Sequence, residues 1–388
     1  MLKLKHVRHP LRTLDAVKTL LAARWSMKVL GPRGERRFSN DPRYNLRNVT
    51  DGFASRLDSD DDAQILDRIC SAYIHAMEWK SSIKQAYSPT GWWKYVQQAS
   101  LAPVLRALAS RDIPALRAMY RNFFRDPCSG GLIGVPYQMA KAYTGQHVDE
   151  SYQRFFLSDA LHRIDYWKTQ TGNRFELREL AGPDIGNPFG VSLDGTFVRT
   201  GTEYQHYCAH KINELLPPGN SSVVEIGGGF GGMAYYLLRD RPETVYCDFD
   251  MPESIALTSY YLLKSLPHLK FLLFGEDELS ESSLAKFNAV LLPAFELAKL
   301  PTKGIDLVFS SHTMSSLVHD ARIEYMNQII RATRKHFLYV GRGAESTTFQ
   351  KLMRLKYPSL KLVERRPLEW HNQKFLSAGE EEWIYQIT

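Results

Sequence analysis

Between Val223 and Gly232 the chain reads Val-Val-Glu-Ile-Gly-Gly-Gly-Phe-Gly-Gly. A short apolar strand runs into backbone almost bare of side chains, which can turn tightly and let a ligand approach main-chain atoms. Two ligand classes use such a turn. Gly227, Gly229 and Gly232 keep the GxGxxG spacing that cradles a dinucleotide, a weak signal alone. Glu225, Gly227, Gly229 and Gly231 keep the spacing acid-x-Gly-x-Gly-x-Gly. The acid separates the two. A carboxylate at the end of the strand, facing the ligand's polar centre, repels a pyrophosphate and attracts ammonium and sulfonium charges.

A second acid follows in Cys247-Asp-Phe-Asp-Met-Pro252, where Asp250 stands nineteen residues after Gly231 at the tip of the next strand. There it can accept both hydroxyls of a ribose, and it can also cap the helix that begins near Pro252. Asp248 points to the same face and can substitute for it. Ribose, sulfonium and ammonium together describe S-adenosyl-L-methionine. That cofactor is expected on Glu225, Gly227, Gly228, Gly229, Asp250 and Met251. The adenine pocket is expected from Leu292-Pro-Ala-Phe-Glu296 rather than from Phe274-Gly-Glu-Asp277, which adds Ala294 and Phe295; Ser311 completes the set.

Methyl transfer from a sulfonium is an in-line displacement whose activation comes with the cofactor. The protein aligns the acceptor and, for an alcohol, removes its proton. Amine-directed enzymes often place (N/D)PP(Y/F) after the fourth strand, but here that position reads Ser310-Ser-His-Thr313. An imidazole at a strand tip suits deprotonation of a hydroxyl near neutral pH. His312 is the expected general base, with a hydrogen bond to a loop carbonyl as its other reading and His319 and His371 in reserve. Acceptor contacts are expected from Asn187, Arg199, Tyr204, His206 and His371. Trp79, Trp92, Trp93, Tyr95 and Trp167 are the aromatics available for stacking on a sugar, although such residues at helical spacing usually belong to a core. A divalent-cation route needs two or three converging carboxylates, for which Glu276, Asp277 and Glu296 are the candidates. Loop acids are more often solvated or capping, and no metal is expected.

The elements that must position these groups are legible in outline. From Val223 onward short apolar strands (244–249, 269–274, 288–292, 305–310, 336–341) alternate with helical segments such as 253–266 and 320–334. That alternation predicts an α/β, Rossmann-like doubly wound sheet. Closing strands at 360–366 and 383–388 predict an antiparallel C-terminal edge strand. Upstream, helical patterning starts behind Asp60–Asp62 and continues at 92–109, 113–125 and 149–169, and residues 31–50 read as a linker or exposed arm. The chain therefore divides into a basic N-terminal arm (1–50), a helical substrate-covering domain (51–170), a Gly/Pro-rich connector lining the pocket (171–202) and a cofactor-binding domain (203–388).

Composition narrows the rest. The 388 residues are 44% hydrophobic and 12% aromatic, too much packing material for a disordered chain. No run approaches the roughly 18 apolar residues of a spanning helix. The four cysteines form no CxxC pair, which speaks against a disulfide scaffold or a structural zinc site and fits a reducing, cytoplasmic compartment. Of the net charge of +7, residues 1–48 contribute +9 and the remainder −2. Leu11, Leu14, Val17, Leu21 and Trp25 form one helical stripe in that arm, able to lie peripherally on an anionic inner membrane surface or to pack on the body. A near-neutral body speaks against a nucleic-acid partner. An RNA methyltransferase using the basic arm, or a non-catalytic scaffold with this fold, is the alternative reading. A homodimer is left open.

The sequence resembles the class I methyltransferases, and more narrowly the bacterial sugar O-methyltransferases, over residues 100–388. The carriers are Gly186-Asn-Pro-Phe-Gly190, the helix with Tyr204, Tyr207 and Lys211, VVEIGGGFGG and the DFDMP turn. With them go Leu291-Leu-Pro-Ala-Phe295, the stretch from Asp306 to Ser315 and the closing EEEWIYQIT. The resemblance implies an O-methyltransferase that modifies a sugar hydroxyl of a bacterial polysaccharide, lipopolysaccharide or sugar precursor. That family tends to carry a Glu near the position of Ser316, which this chain lacks, so no role is carried over for it.

Overall fold

The computed structural model describes residues 35–58, 61–79, 82–133, 149–372 and 379–387. The amphipathic stripe at 11–25 lies outside them. A small hairpin pairs β1 (Gly190–Leu193) with β2 (Thr196–Arg199) across Asp194–Gly195, both at positive φ, as a tight two-residue turn requires. The main sheet holds β3 (Ser222–Ile226), β4 (Val245–Asp250), β5 (Phe271–Leu273), β6 (Ala289–Pro293), β7 (Ile305–Ser311), β8 (Thr333–Arg342), β9 (Leu360–Pro367) and β10 (Glu380–Ile387). Their spatial order is β5-β6-β4-β3-β7-β8-β10-β9.

All neighbours are parallel except at β10, which runs antiparallel to both β8 and β9. The antiparallel C-terminal strand thus exists but sits one place in from the edge, with β9 outermost. The parallel strands are near-continuous apolar runs because both faces are covered. Val223, Tyr246, Leu291, Leu307 and Leu338 face one core, and Val224, Cys247, Val290, Val308 and Phe337 face the other.

Several boundaries differ from those expected. Residues 35–50 are not an exposed linker: Phe38 and Val49 are buried, Arg43 pairs with Asp41 and Asp165, and Arg47–Gly52 is helical. The pattern at 92–109 is two helices, Gly91–Ala99 and Ala102–Ser110. Pro103 explains the break, since it has no N–H for the preceding turn and its ring crowds the carbonyl four residues back. The helix from Ile113 stops at Tyr120, and a helix over Gly343–Lys356 had no clear signal. The upstream helices share a core with the sheet: Leu66, Ile69, Leu116 and Phe123 pack in the same cluster as Phe230, Tyr260 and Tyr261.

Candidate active site

β3 ends at the glycine turn. Gly227 and Gly229 have φ of +83° and +65°, where a side chain is strained. Contact is tight as well. A Cβ on Gly227 would sit 2.0 Å from Thr313 Oγ1, and one on Gly228 would sit 2.6 Å from Asp248 Oδ2. The turn is therefore seated directly on the tips of β4 and β7.

Strand alternation puts Glu225, Tyr246, Asp248 and Asp250 on one face, with Glu225 beside Asp248 in register. Asp248 Oδ1 accepts the Gly228 N–H at 3.0 Å; its Oδ2 is fully buried with no hydrogen-bond partner among the described residues. Asp250 is less enclosed and accepts the Gly229 N–H at 3.4 Å and the Met251 N–H at 2.7 Å. Glu225 departs from expectation. It does not face the open side of the turn but is 3% exposed beneath it, its Oε2 accepting the Tyr246 hydroxyl at 2.6 Å. Nearby, the buried Glu253 accepts from Trp93 Nε1 and Gln97 Nε2.

None of these four carboxylates forms an ion pair among the described residues. Their protonation reflects that isolation. Burial pushes Glu225 up to about 7, against the pull of the Tyr246 hydroxyl and with the Asp250 charge adding to the rise. Burial likewise raises Asp250 to about 7, opposed by the Met251 and Gly229 N–H groups and reinforced by Glu253. Asp248 is also raised well above its ordinary value, by burial first and then by the charges of Asp250 and Glu225. The orphaned oxygen and the missing counter-charge describe a cradle suited to a cation.

The tip of β7 supplies the second half of the site. His312 adopts φ +62°, held by its N–H to Val340 O at 2.8 Å and by Ser315 Oγ donating to its carbonyl at 2.7 Å. Its Nε2 lies 2.9 Å from Glu380 Oε1, with 40% of the His312 side chain exposed and Glu380 buried. Burial would raise the Glu380 carboxyl, but the hydrogen bond and charge of His312, with Arg342 behind, hold it below the ordinary value. Ser311 and Tyr204 share a 2.7 Å hydroxyl–hydroxyl bond. His371 Nδ1 lies 3.1 Å from Asp159 Oδ2. The base expected from sequence is thus one member of an imidazole–carboxylate pair. The partner was missed, as were Tyr246 and Asp159.

Three expected acceptor contacts are packing residues. Asn187, buried at φ +53°, takes the Arg56 N–H on Oδ1 and donates from Nδ2 to Asn122 Oδ1, so its amide is committed to the scaffold. Arg199 is buried between the rings of Phe124 and Phe230 and donates to Gln205 and Thr200. His206 is enclosed by Trp167, Phe175 and Tyr236, accepts from Trp167 Nε1, and is driven down to about 4 by burial. Trp167 is core with it, Trp93 is taken by Glu253, and Trp79 and Tyr95 are half exposed. At the end of β6, Ala294 is buried and Phe295 packs edge-on against Phe274.

The proposed cation ligands do not converge. Glu276 pairs with Arg68, Asp277 with Lys286 and Glu296 with Lys299. Among the described residues no group of three or more His, Cys, Asp or Glu could hold a metal ion, and no helix is long and apolar enough to cross a membrane.

The sheet, parallel except for β10, has the topology of a Rossmann-like doubly wound fold with an antiparallel strand inserted near one edge. No protein-family model matches the chain, and no curated protein matches it in sequence. Among solved structures, that of the pyocyanin biosynthetic protein PhzM aligns at 14% identity and a TM-score of 0.32, over 46% of this chain and 54% of that one. The match thus spans about half the length of PhzM. A SAM-dependent methyltransferase from Aquifex aeolicus aligns at 11% identity and 0.33, over 48% and 94% of the two chains. The N-methyltransferase NodS from Bradyrhizobium japonicum, solved with S-adenosyl-L-homocysteine, aligns at 12% and 0.33, over 58% and 98%. Likenesses of this size transfer no residue's role to this chain.

Proposed function

We propose that this protein is an S-adenosyl-L-methionine-dependent O-methyltransferase acting on a sugar hydroxyl. One observation carries the cofactor: three buried carboxylates, Glu225, Asp248 and Glu253, and the partly buried Asp250 surround a glycine turn without a cationic partner among the described residues. Unpaired buried charge is costly, so such a group either stays protonated or receives a positive ligand. A zwitterionic sulfonium nucleoside meets that need and a dinucleotide does not. In this reading Asp250, the most accessible of the four, takes the ribose hydroxyls, and Ala294 and Phe295 flank the adenine. Bound there, S-adenosyl-L-methionine supplies an electrophilic methyl group.

The acceptor chemistry follows from the pair at the tip of β7. His312, with Glu380 accepting its Nε2–H, presents Nδ1 as a base for a hydroxyl proton, and Glu380 stabilises the imidazolium that results. An amine acceptor would call for carbonyl or amide acceptors rather than a carboxylate-backed imidazole. The sugar itself rests on the resemblance of the sequence.

The test has two steps. Calorimetry should give tight, stoichiometric binding of S-adenosyl-L-homocysteine, and its absence would leave a scaffold with this fold. Labelled methyl from S-adenosyl-L-methionine should then appear on a hydroxyl when the protein is offered glycans, nucleotide sugars, RNA and amines. Label on RNA or on an amine alone overturns the acceptor assignment.

A further inference from the structure

At the C-terminal end of β8, Arg342 sits directly opposite Glu380 in the β8–β10 register. Its Nε is 4.0 Å from Glu380 Oε1, too far for a hydrogen bond, and 52% of its side chain is exposed. Glu380 is already engaged by His312 at 2.9 Å. The Arg342 side chain makes no hydrogen bond to any described residue, and its ion pair there is the long contact to Glu380. A half-exposed guanidinium with donors to spare therefore stands beside the pair that would remove the acceptor's proton.

The neighbourhood continues in the same sense. His371, whose charge is felt by Glu380, is matched by Asp159. Next to it His162 is held by the Glu369 carbonyl and by Arg37 Nη1 at 2.8 Å. Asp159 and Glu380 both have imidazole partners, whereas Arg342 reaches its acid only at 4.0 Å and Arg37 has none among the described residues. The carboxylates under the glycine turn have no cationic partner among the described residues, whereas Arg342 is a cation with donors to spare, so the two ends of the site suit ligand groups of opposite charge.

We infer that the methyl acceptor carries an anionic group, a phosphate or a carboxylate, received by Arg342 while the hydroxyl to be methylated meets His312. A planar guanidinium binds either anion in a two-pronged manner. This rests on the methyltransferase reading and narrows the acceptor from sugars in general to charged ones.

The test is calorimetric, on the full chain saturated with S-adenosyl-L-homocysteine, with uridine diphosphate glucose, glucuronic acid and methyl glucoside as probes. At least one anionic probe should bind about tenfold or more tightly than the neutral glycoside. Preference for the diphosphate points to a nucleotide-linked acceptor, and preference for the uronate to an acidic glycan. Arg342→Gln should bring that advantage to within about threefold, and Arg342→Lys should keep part of it, with S-adenosyl-L-homocysteine affinity unchanged in both. Equal binding of all three probes, no binding of either anion, or an advantage that survives Arg342→Gln overturns the inference. Failure to bind S-adenosyl-L-homocysteine sinks the parent reading instead.

Discussion

His312 Nε2 lies 2.9 Å from Glu380 Oε1, which ties the tip of parallel strand β7 to the first residue of the antiparallel strand β10. The contact orients a ring that its own left-handed backbone has already lifted off the strand axis. It also joins residues 68 positions apart in the chain.

Removing either member should act on turnover rather than on cofactor binding. His312→Ala should lower kcat by about 100-fold or more and Glu380→Gln by about 10-fold or more, with S-adenosyl-L-homocysteine affinity near that of the parent. The double variant should be little worse than His312→Ala, as expected for groups acting as a unit. Steady-state kinetics on the three variants decides this, and a His312→Ala enzyme with full kcat removes the assignment.

Cofactor binding should release protons. Glu225 and Asp250 stand near 7 in the cofactor-free protein, above their ordinary values of 4.5 and 3.8, so at pH 6 both are mostly protonated. A cationic ligand draws them down. Affinity should therefore rise from pH 5.5 to about 7.5 and then level off. Titrations at pH 6 in two buffers of different ionisation enthalpy should differ in apparent heat; identical heats count against a cation on these acids.

The same shift predicts an unusual variant. A carboxyl raised in the folded state contributes stability below its unfolded value and loses it as pH rises through the folded value. Glu225→Gln should therefore melt higher than the parent at pH 8 without cofactor, and close to it at pH 5. It should also bind S-adenosyl-L-homocysteine about tenfold more weakly. Thermal melts at the two pH values check the first claim, and calorimetry the second.

His206 gives the opposite sign. Its folded value of about 4 lies below the ordinary 6.5, so its contribution is complete above pH 6.5 and is lost as pH falls toward 4. The shift corresponds to about 3 kcal/mol. His206→Gln keeps an acceptor for Trp167 and should flatten that acid limb in denaturant melts, with little change in acceptor KM.

Asn187→Ala should behave as a scaffold lesion. It leaves a non-glycine residue at φ +53° and strips partners from the Arg56 N–H and Asn122. A loss of about 2–3 kcal/mol is expected, with acceptor KM unchanged at temperatures where the protein stays folded. A raised KM without loss of stability would return this residue to the acceptor site.

What the sequence made legible follows from where local signals are strong. Buried parallel strands are apolar runs, and Val223–Ile226, Thr244–Phe249 and Ile305–Ser310 announce themselves in that way. The glycine turn after β3 and the acid that ends β4 are spacing signals, and the structure has both where the spacing puts them. Glu380 was not, because its role depends on which strand β10 pairs with and in what register. A trace of it was present all the same: in Glu380-Glu-Glu382 alternation must point the outer two to one face, and both are buried. Asn187 and His312 sit at positive φ, a state that residue type only hints at, so one polar side chain was read as a ligand contact when it was holding a bend. Glu225 was placed on the wrong side of the turn, since nothing local says that the Tyr246 hydroxyl would claim it.

The shared packing of Leu66, Leu116 and Phe123 with Phe230, Tyr260 and Tyr261 means that the eight-stranded sheet is not detachable. A fragment starting at Gly201 would bare a wall of aromatic rings to water and should aggregate rather than dissolve. The intact chain, by the same token, should lose its helices and its sheet together on heating.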